Sequence, residues 1–185
     1  MAELLGRLRR VLDQLLHSSR RRAAHGVLAA HRPLRSVLVV CNGNIFRSPF
    51  AAAVLGWALG REGRRGVCVE SAGFIGPGRP SPADAVEAAA RRGIDLRGHR
   101  SQPLTPDLVR TADVIFVMDT AQRRLLCERF GRAPRDVVLL GDFDPGPVTS
   151  RAIEDPWEQG PDVCETVYGR IERCIGALVH GERAS

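Results

Sequence analysis

Short apolar runs alternate with longer helical segments along most of this chain. The runs at 36–40, 66–71, 113–118 and 137–140 have the length and the aliphatic content of β-strands. Helices are predicted at 49–60, 83–92, 120–130 and 161–180, with a shorter helical turn at 107–110. Because strands and helices alternate, the pattern predicts an α/β fold: an open four-stranded parallel sheet with helices on both faces.

The N-terminal segment has a different pattern. Residues 3–16 place seven aliphatic side chains on one face of a predicted amphipathic helix: Leu4, Leu5, Leu8, Val11, Leu12, Leu15 and Leu16. The basic run Ser18–Arg22 follows, and Pro33 marks a linker. The helix either packs on the domain or on a second copy, or residues 1–22 dock on an anionic membrane surface or a partner protein. We therefore divide the chain into a basic arm at 1–33 and a domain at 34–182.

The net charge of +6 comes entirely from residues 1–35, that is, from the arm and the first two residues of the domain. Residues 1–35 contain eight arginines and two acids, whereas the remaining residues contain nineteen of each. The basic isoelectric point is therefore no argument for nucleic-acid binding by the domain.

The cysteines and the hydropathy indicate a cytoplasmic protein. Five cysteines, an odd number without paired spacing, suit a reducing compartment. The sequence has neither a signal-peptide pattern nor an apolar run long enough to cross a bilayer. It also has no zinc-type cluster of cysteine and histidine, so we expect no metal and no other cofactor.

Candidate chemistry lies where the first strand ends, at Cys41. A polar turn follows, and then Arg47, Ser48 and a predicted helix. The backbone N–H groups of such a turn bind an anion, and the helix N-terminus adds partial positive charge. The same field favours a thiolate. The stretch therefore predicts a cysteine-dependent phosphatase.

A cysteine six residues before an arginine is not specific by itself. With five cysteines and 27 arginines, such a pair is expected by chance, and a second one, Cys164 and Arg170, occurs. That second pair lies within a predicted helix and includes Glu165, whose carboxylate would repel phosphate. We therefore interpret Cys164 as a structural residue of that helix.

The stretch from Cys41 to Pro49, Cys-Asn-Gly-Asn-Ile-Phe-Arg-Ser-Pro, resembles the signature of the low-molecular-weight protein tyrosine phosphatases. Four further motifs resemble family segments in the same order: Ser71–Gly73, Gly93–Leu96 with His99–Ser101, Val117–Asp119 and Asp155–Trp157. The resemblance covers roughly 36–180. It implies a phosphotyrosine phosphatase I-like fold with flavodoxin-like strand order, and hydrolysis of phosphotyrosine through a phosphocysteine.

The resemblance also implies a role for each residue. Cys41 would be the nucleophile, and Arg47 would hold the phosphoryl oxygens. The loop residues that would bind substrate are Asn42, Gly43, Asn44, Ile45, Phe46 and Ser48, the last of these through the sulfur. Ser71, His99 and Asp119 would support the loop.

The leaving phenolate needs an acid, and three loop aspartates compete for that role. The family carries its acid in an Asp-Pro-aromatic motif before the last helix, so we choose Asp155 over Asp142 and Asp144. Trp157 would line a cleft for an aromatic phosphate, with Phe74 as a second candidate.

Phe46 stands where the family usually has a second cysteine that can form a protective disulfide with the nucleophile. We therefore expect Cys41 to over-oxidise more readily.

Three alternatives remain open at this point. A thioredoxin-coupled arsenate reductase would need a closely spaced pair among Cys127, Cys164 and Cys174. Arginine phosphatases of the same fold carry threonine where Ile45 stands. A non-catalytic phosphate- or phosphoprotein-binding module would use the same loop. The expected partner of the enzyme is a phosphotyrosine protein, with a bacterial tyrosine kinase as the family-level candidate.

Overall fold

The secondary structure follows the predicted alternation. The computed structural model describes residues 2–181, except for the side chains of residues 2–6 and 9. Its strands are β1 (Ser36–Cys41), β2 (Cys68–Gly73), β3 (Val114–Val117) and β4 (Val137–Leu139). Its α-helices are α1 (Ala2–Ala30), α2 (Arg47–Arg61), α3 (Ala83–Ala90), α4 (Pro106–Thr111), α5 (Thr120–Phe130) and α6 (Pro161–Gly181). Residue 182, the predicted end of the domain, lies outside the described residues.

The four strands form one parallel sheet in the order β2-β1-β3-β4, which confirms the predicted fold class. In the register, Cys41 is the partner of Gly73 on β2, and Val40 is the partner of Val117 on β3. The carboxyl ends of these strands therefore meet at one edge of the sheet, where open α/β sheets bind their ligands. Cys41 lies at this edge on a central strand.

Alternate side chains of β1 enter two separate cores. Val37, Val39 and Cys41 join the cluster formed with α2, α3 and α6. Leu38 and Val40 join the cluster on the other face, with α4 and α5. Burial on both faces explains the continuous apolar run of this strand.

Helix α1 is about twice as long as the segment 3–16 that the apolar spacing predicts. Its second half packs on the domain through Ala24 and Leu28, which are 4% and 1% exposed. The His25 ring lies edge-on to Phe143, with ring centroids 5.0 Å apart. This packing explains why the helix continues through the serines and arginines that follow residue 16, although those residues carry little apolar signal.

The predicted aliphatic stripe of α1 does not make this contact. Leu15 is 74% exposed, and Leu8, Val11, Leu12 and Leu16 are also exposed. The side chains of Leu4 and Leu5 lie outside the described part of the chain. Helix α1 therefore packs on the domain through a face that the sequence pattern did not indicate.

Strand β2 begins two residues later than predicted. Cys68 donates its backbone N–H to the Arg35 carbonyl oxygen and pairs with Ser36, whereas Val67 still belongs to the turn after α2. No helix within residues 2–181 is both long and apolar enough to cross a membrane.

Truncation of two leucines of α1 tests how the helix is held. Leu28→Ala should lower the free energy of unfolding by about 2–5 kcal/mol, because it leaves a cavity under the helix. Leu15→Ala, the matched control, removes an exposed side chain and should change that free energy by less than about 0.5 kcal/mol. Urea denaturation of both variants measures the difference, and equal small effects would contradict the packing described here.

Candidate functional site

The loop between β1 and α2 wraps around the Cys41 sulfur. Cys41 ends β1 and is 2% exposed. The backbone N–H of Asn44 donates to Sγ across 3.3 Å. Helix α2 begins at Arg47, so its N-terminal end faces the same loop. The loop therefore directs the Asn44 N–H group and a helix terminus toward the sulfur.

Ser48 lies beside the sulfur, with Oγ 3.1 Å from Sγ of Cys41. The Asn44 amide donates to the same Oγ across 2.9 Å. Because Oγ already accepts this bond, its own hydrogen can be donated either to the sulfur or to the Ala72 carbonyl oxygen, which is farther away at 3.5 Å. A bond to the sulfur stabilises a thiolate relative to a thiol.

Asn44 determines the shape of the loop. Its φ of 50° lies in the left-handed region, which asparagine tolerates better than most residues. Its side-chain amide donates to Ser71 Oγ across 2.8 Å, and its side-chain oxygen accepts from the Gln102 backbone N–H across 2.9 Å. The His99 ring donates through Nε2 to the Asn44 carbonyl oxygen across 2.7 Å. Ser71 and His99 thus both contact Asn44 of the loop.

Gly73, at the end of β2, approaches this loop too closely for a side chain. A Cβ placed on Gly73 would lie 2.8 Å from the Asn42 carbonyl oxygen and 2.9 Å from the Asn44 nitrogen. Both atoms belong to the backbone and cannot swing aside. The strand next to β1 must therefore end in glycine for the loop to close.

Arg47 and Asp155 form an ion pair over the loop. Arg47 is 2% exposed, and its guanidinium donates to the Ile153 carbonyl oxygen across 3.1 Å and to Asp155 Oδ2. Its Nε has no hydrogen-bond partner among the described residues. The Asn42 side chain lies 3.5 Å from the same carboxylate oxygen. The ion pair thus brings together side chains more than a hundred residues apart in sequence.

A cleft of about 300 Å³ opens above the cysteine. Its lining residues are Cys41, Asn42, Gly43, Ile45, Phe46, Arg47, Ile75, Arg79, Asp155 and Trp157. Trp157 is half-exposed, and its ring lies edge-on to Phe46 with centroids 6.2 Å apart. The predicted wall residue Trp157 is therefore in the cleft.

Two residues of the cleft were missed from the sequence. Ile75 lines the wall where Phe74 was a candidate, and Phe74 instead packs against the second core. Arg79 donates to the Gly43 carbonyl oxygen across 3.2 Å. Both residues follow β2, whose carboxyl end borders the loop. That location in the sequence was the signal that could have identified them as cleft residues.

The competing aspartates lie elsewhere. Asp142 pairs with Arg151, and Asp144 pairs with Arg170, in both cases with the carboxylate almost fully buried. Neither lines the cleft. Arg170 belongs to the rejected second pair, and burial raises the pKa of the Cys164 thiol to about 11. Both observations fit structural roles.

Asp119 does not reach the loop itself. Its carboxylate caps α5 by accepting from the Gln122 backbone N–H across 2.7 Å. Gln122 itself contacts the loop, because its side-chain amide donates to the Asn42 side-chain oxygen across 3.3 Å. Asp119 thus supports the loop only through Gln122, which sequence reasoning did not identify.

Comparison with known proteins gives one consistent result. A family model described as low molecular weight phosphotyrosine protein phosphatase matches residues 36–183 and leaves out the arm. The probable low molecular weight protein-tyrosine-phosphatase EpsP of Ralstonia solanacearum is 39% identical over 153 residues, covering 82% of this chain and 98% of EpsP.

Two further relatives differ in the activity that their names carry. The crystal structure of Erwinia amylovora tyrosine phosphatase AmsI superposes with a TM-score of 0.71 at 31% identity, covering 80% of this chain and 93% of that one. A protein-arginine-phosphatase of Bacillus subtilis is 32% identical over 143 residues, covering 77% of this chain and 93% of that protein. The substrate must therefore be argued from the cleft.

The redox behaviour of the cleft is testable at Phe46. Cys41 is the one cysteine among the described residues that line the cleft, so a sulfenic acid formed there by peroxide meets no second thiol in the cleft and is oxidised to sulfinic acid by a second equivalent of peroxide. In Phe46→Cys, the new thiol should condense with the sulfenic acid, releasing water and forming a disulfide that a thiol reductant reopens. We expect reductant to restore activity in Phe46→Cys but not in wild type.

Phe46→Ala, which loses the ring without gaining a thiol, is the matched control and should behave as wild type. Full recovery of the wild type after peroxide and reductant would contradict the expectation.

Proposed function

The chain belongs to the low molecular weight phosphotyrosine protein phosphatase family and is a protein-tyrosine-phosphatase, and we propose that it hydrolyses phosphotyrosine through a phosphocysteine on Cys41. One observation carries this mechanism. The Cys41 sulfur accepts from a loop N–H group and lies beside Ser48, at the floor of a cleft that also contains the Arg47–Asp155 ion pair. Nucleophile, anion site and acid are thus within one small space.

In the first step the Cys41 thiolate attacks phosphorus. The S–P bond forms as the bond from phosphorus to the phenolic oxygen breaks, and the electron pair leaves on that oxygen. The loop N–H groups and the planar guanidinium of Arg47 hold the other phosphoryl oxygens as charge develops on them. Asp155, which takes a proton from solvent once phosphate has replaced it on Arg47, gives that proton to the leaving oxygen, so that tyrosine departs neutral.

The ion pair suggests how substrate binding engages Asp155. A phosphoryl group in the loop competes with Asp155 for the Arg47 guanidinium. Binding therefore draws Arg47 toward phosphate and releases the carboxyl group toward the leaving oxygen. The unpartnered Nε of Arg47 supports this proposal, because it leaves the buried guanidinium with a donor that no described protein group accepts.

In the second step water attacks the phosphocysteine. The S–P bond breaks, its electron pair returns to sulfur, and Asp155, now ionised, takes the proton of the water. Ser48 stabilises the departing thiolate through the hydrogen bond described above. Inorganic phosphate leaves, Asp155 returns its proton to solvent as it pairs with Arg47 again, and the enzyme is back in its starting state.

The cleft favours an aryl phosphate. Phe46, Ile75 and Trp157 give it apolar walls that suit a phenyl ring. Ile45 lines the same cleft and offers no side-chain hydroxyl, whereas arginine phosphatases carry threonine there. These residues support phosphotyrosine over phosphoarginine. Among phosphotyrosine proteins, a bacterial tyrosine kinase stays the candidate partner.

The other cysteines argue against an arsenate reductase. Such an enzyme passes a disulfide between mobile thiols, but Cys164 and Cys174 are fully buried. Burial raises the pKa of their thiols to about 11 and about 12, which disfavours the thiolates that a relay needs. A non-catalytic binding module would have no need of an acid beside Arg47.

Variants at two positions test the mechanism. Cys41→Ser should abolish turnover of aryl phosphates, whereas Cys164→Ser should retain it. Asp155→Asn should lower kcat about 10²–10⁴-fold with phenyl phosphate. The loss should be smaller with nitrophenyl phosphate, whose leaving group needs little protonation.

Asp144→Asn is the matched control for the acid. Its carboxylate binds Arg170, so its loss should reduce stability without a dependence on the leaving group. Turnover that survives in Cys41→Ser, or an equal loss with both substrates in Asp155→Asn, would contradict the mechanism.

A further inference from the structure

Helix α1 carries an exposed row of aliphatic side chains, which we call the leucine stripe: Leu8, Val11, Leu12, Leu15 and Leu16. Leu15 is 74% exposed, and the other four are 44–55% exposed. The spacing places them on one side of the helix over more than two turns. A contiguous apolar surface of this kind on a soluble domain indicates a binding surface.

The stripe points away from the domain. Asp13 and His17 are 5% and 7% exposed, and Leu15 is two residues from each of them. Because successive residues of an α-helix are about 100° apart, Leu15 lies on the side opposite to both. The face of α1 that meets the domain is therefore polar in this half, and the apolar face is outside.

Polar contacts hold the helix in this orientation. Asp13 accepts from Arg20 across 2.6 Å and from the Arg151 backbone N–H across 3.4 Å. His17 donates through Nε2 to the Asp144 carbonyl oxygen across 2.8 Å. Arg20 belongs to α1 itself, but turning the helix to bury the stripe against the domain would break the two bonds to Arg151 and Asp144. The stripe is therefore a surface for something outside the domain.

The charge around the leucine stripe indicates which kind of partner binds it. Arg7 lies one turn before Val11, and Arg22 lies two turns after Leu15, so both are on the stripe's side of the helix. Of the two acids in residues 1–35, Asp13 faces the domain and is paired with Arg20. A second copy of the chain would bring like charges together, whereas an anionic lipid surface complements them.

We propose that the leucine stripe binds the surface of an anionic membrane, with α1 lying in the interface and the phosphatase domain on its aqueous side. The aliphatic side chains enter the boundary between headgroups and acyl chains, and the arginines extend to the lipid phosphates. Residues 1–35 lie outside the family match, so the arm adds this property to the phosphatase domain.

Co-sedimentation of the full chain with lipid vesicles tests the proposal. The chain should bind vesicles of phosphatidylcholine mixed with phosphatidylglycerol, and should bind pure phosphatidylcholine much more weakly. Binding should weaken as salt is raised, because salt screens the arginines from the lipid charge. Absence of binding to the anionic vesicles at low salt would overturn the proposal.

Variants distinguish vesicle binding through the leucine stripe from nonspecific adsorption of the protein. The double variant Leu12→Ser/Leu15→Ser should lower the partition coefficient by at least about tenfold, since each leucine loses most of its transfer free energy. The matched control is Leu125→Ser, which changes an exposed leucine of α5 and should leave binding unchanged. Arg22→Gln should weaken binding by about fivefold, whereas Arg124→Gln on α5 should not.

Two further measurements test whether the stripe variants are folded and whether a second copy of the chain covers the stripe. Turnover of nitrophenyl phosphate by the stripe variants should equal that of wild type, which shows that the domain is folded. Sedimentation equilibrium should give the same mass for wild type and the double variant. A wild-type dimer that the double variant dissociates would mean that a second copy covers the stripe, and would overturn the proposal. Vesicle binding that the double variant retains would also overturn it.

Discussion

The shape of the loop after β1 depends on Asn44, whose backbone is in the left-handed conformation and whose polar groups are all engaged. Its amide bonds Ser48 and Ser71, its side-chain oxygen accepts from Gln102, and its carbonyl accepts from His99. A fully buried asparagine is tolerable only with such partners, because an unsatisfied amide would cost about 1–3 kcal/mol. These bonds hold the Asn44 N–H at the Cys41 sulfur and keep the Ser48 hydroxyl within hydrogen-bond distance of the same atom.

The segment that carries Asp155 is held by a separate set of bonds. Arg170 on α6 binds the Asp144 carboxylate and the carbonyl oxygens of Ser150 and Ala152. Ile153 then donates to the Met118 carbonyl oxygen at the end of β3. The last helix and the sheet thus fix the chain up to two residues before Asp155. The cysteine of the rejected second pair lies in the core, and the arginine of that pair serves the site indirectly.

Whether a site residue can be predicted from the sequence depends on how many residues separate it from the residues that it contacts. Cys41, Asn44 and Ser48 belong to one loop, so local chemistry and the family resemblance identify them together. Gln122 and Arg79 reach the loop from 80 and 36 residues away, and no local pattern marks a side chain for such a contact. The aspartates before proline, Asp144 and Asp155, look alike in sequence. In the sequence, only the family motif distinguishes them. In the structure they differ in their arginine partners, since Asp155 pairs with Arg47 and Asp144 pairs with Arg170.

The fold was predictable because burial on both faces of the sheet leaves a strong apolar signal in β1, β3 and β4. The length of α1 was not, since its second half is held by a few contacts such as those of Ala24 and Leu28 among polar residues. In its first half, the apolar pattern correctly predicts a helix and does not identify the face that meets the domain. Hydrogen bonds of Asp13 and His17 determine that face, and a hydrophobic periodicity contains no information about them.

The central claim is that catalysis passes through a covalent phosphoryl group on Cys41, and rapid quenching tests it most directly. Wild-type enzyme mixed with excess nitrophenyl phosphate is denatured within the first turnover, and its peptides are mapped by mass spectrometry. The account predicts a phosphoryl group on the peptide that contains Cys41, formed at the rate of nitrophenol release and before inorganic phosphate appears. Release of phosphate together with nitrophenol, without a labelled peptide or with the label on another residue, would contradict it.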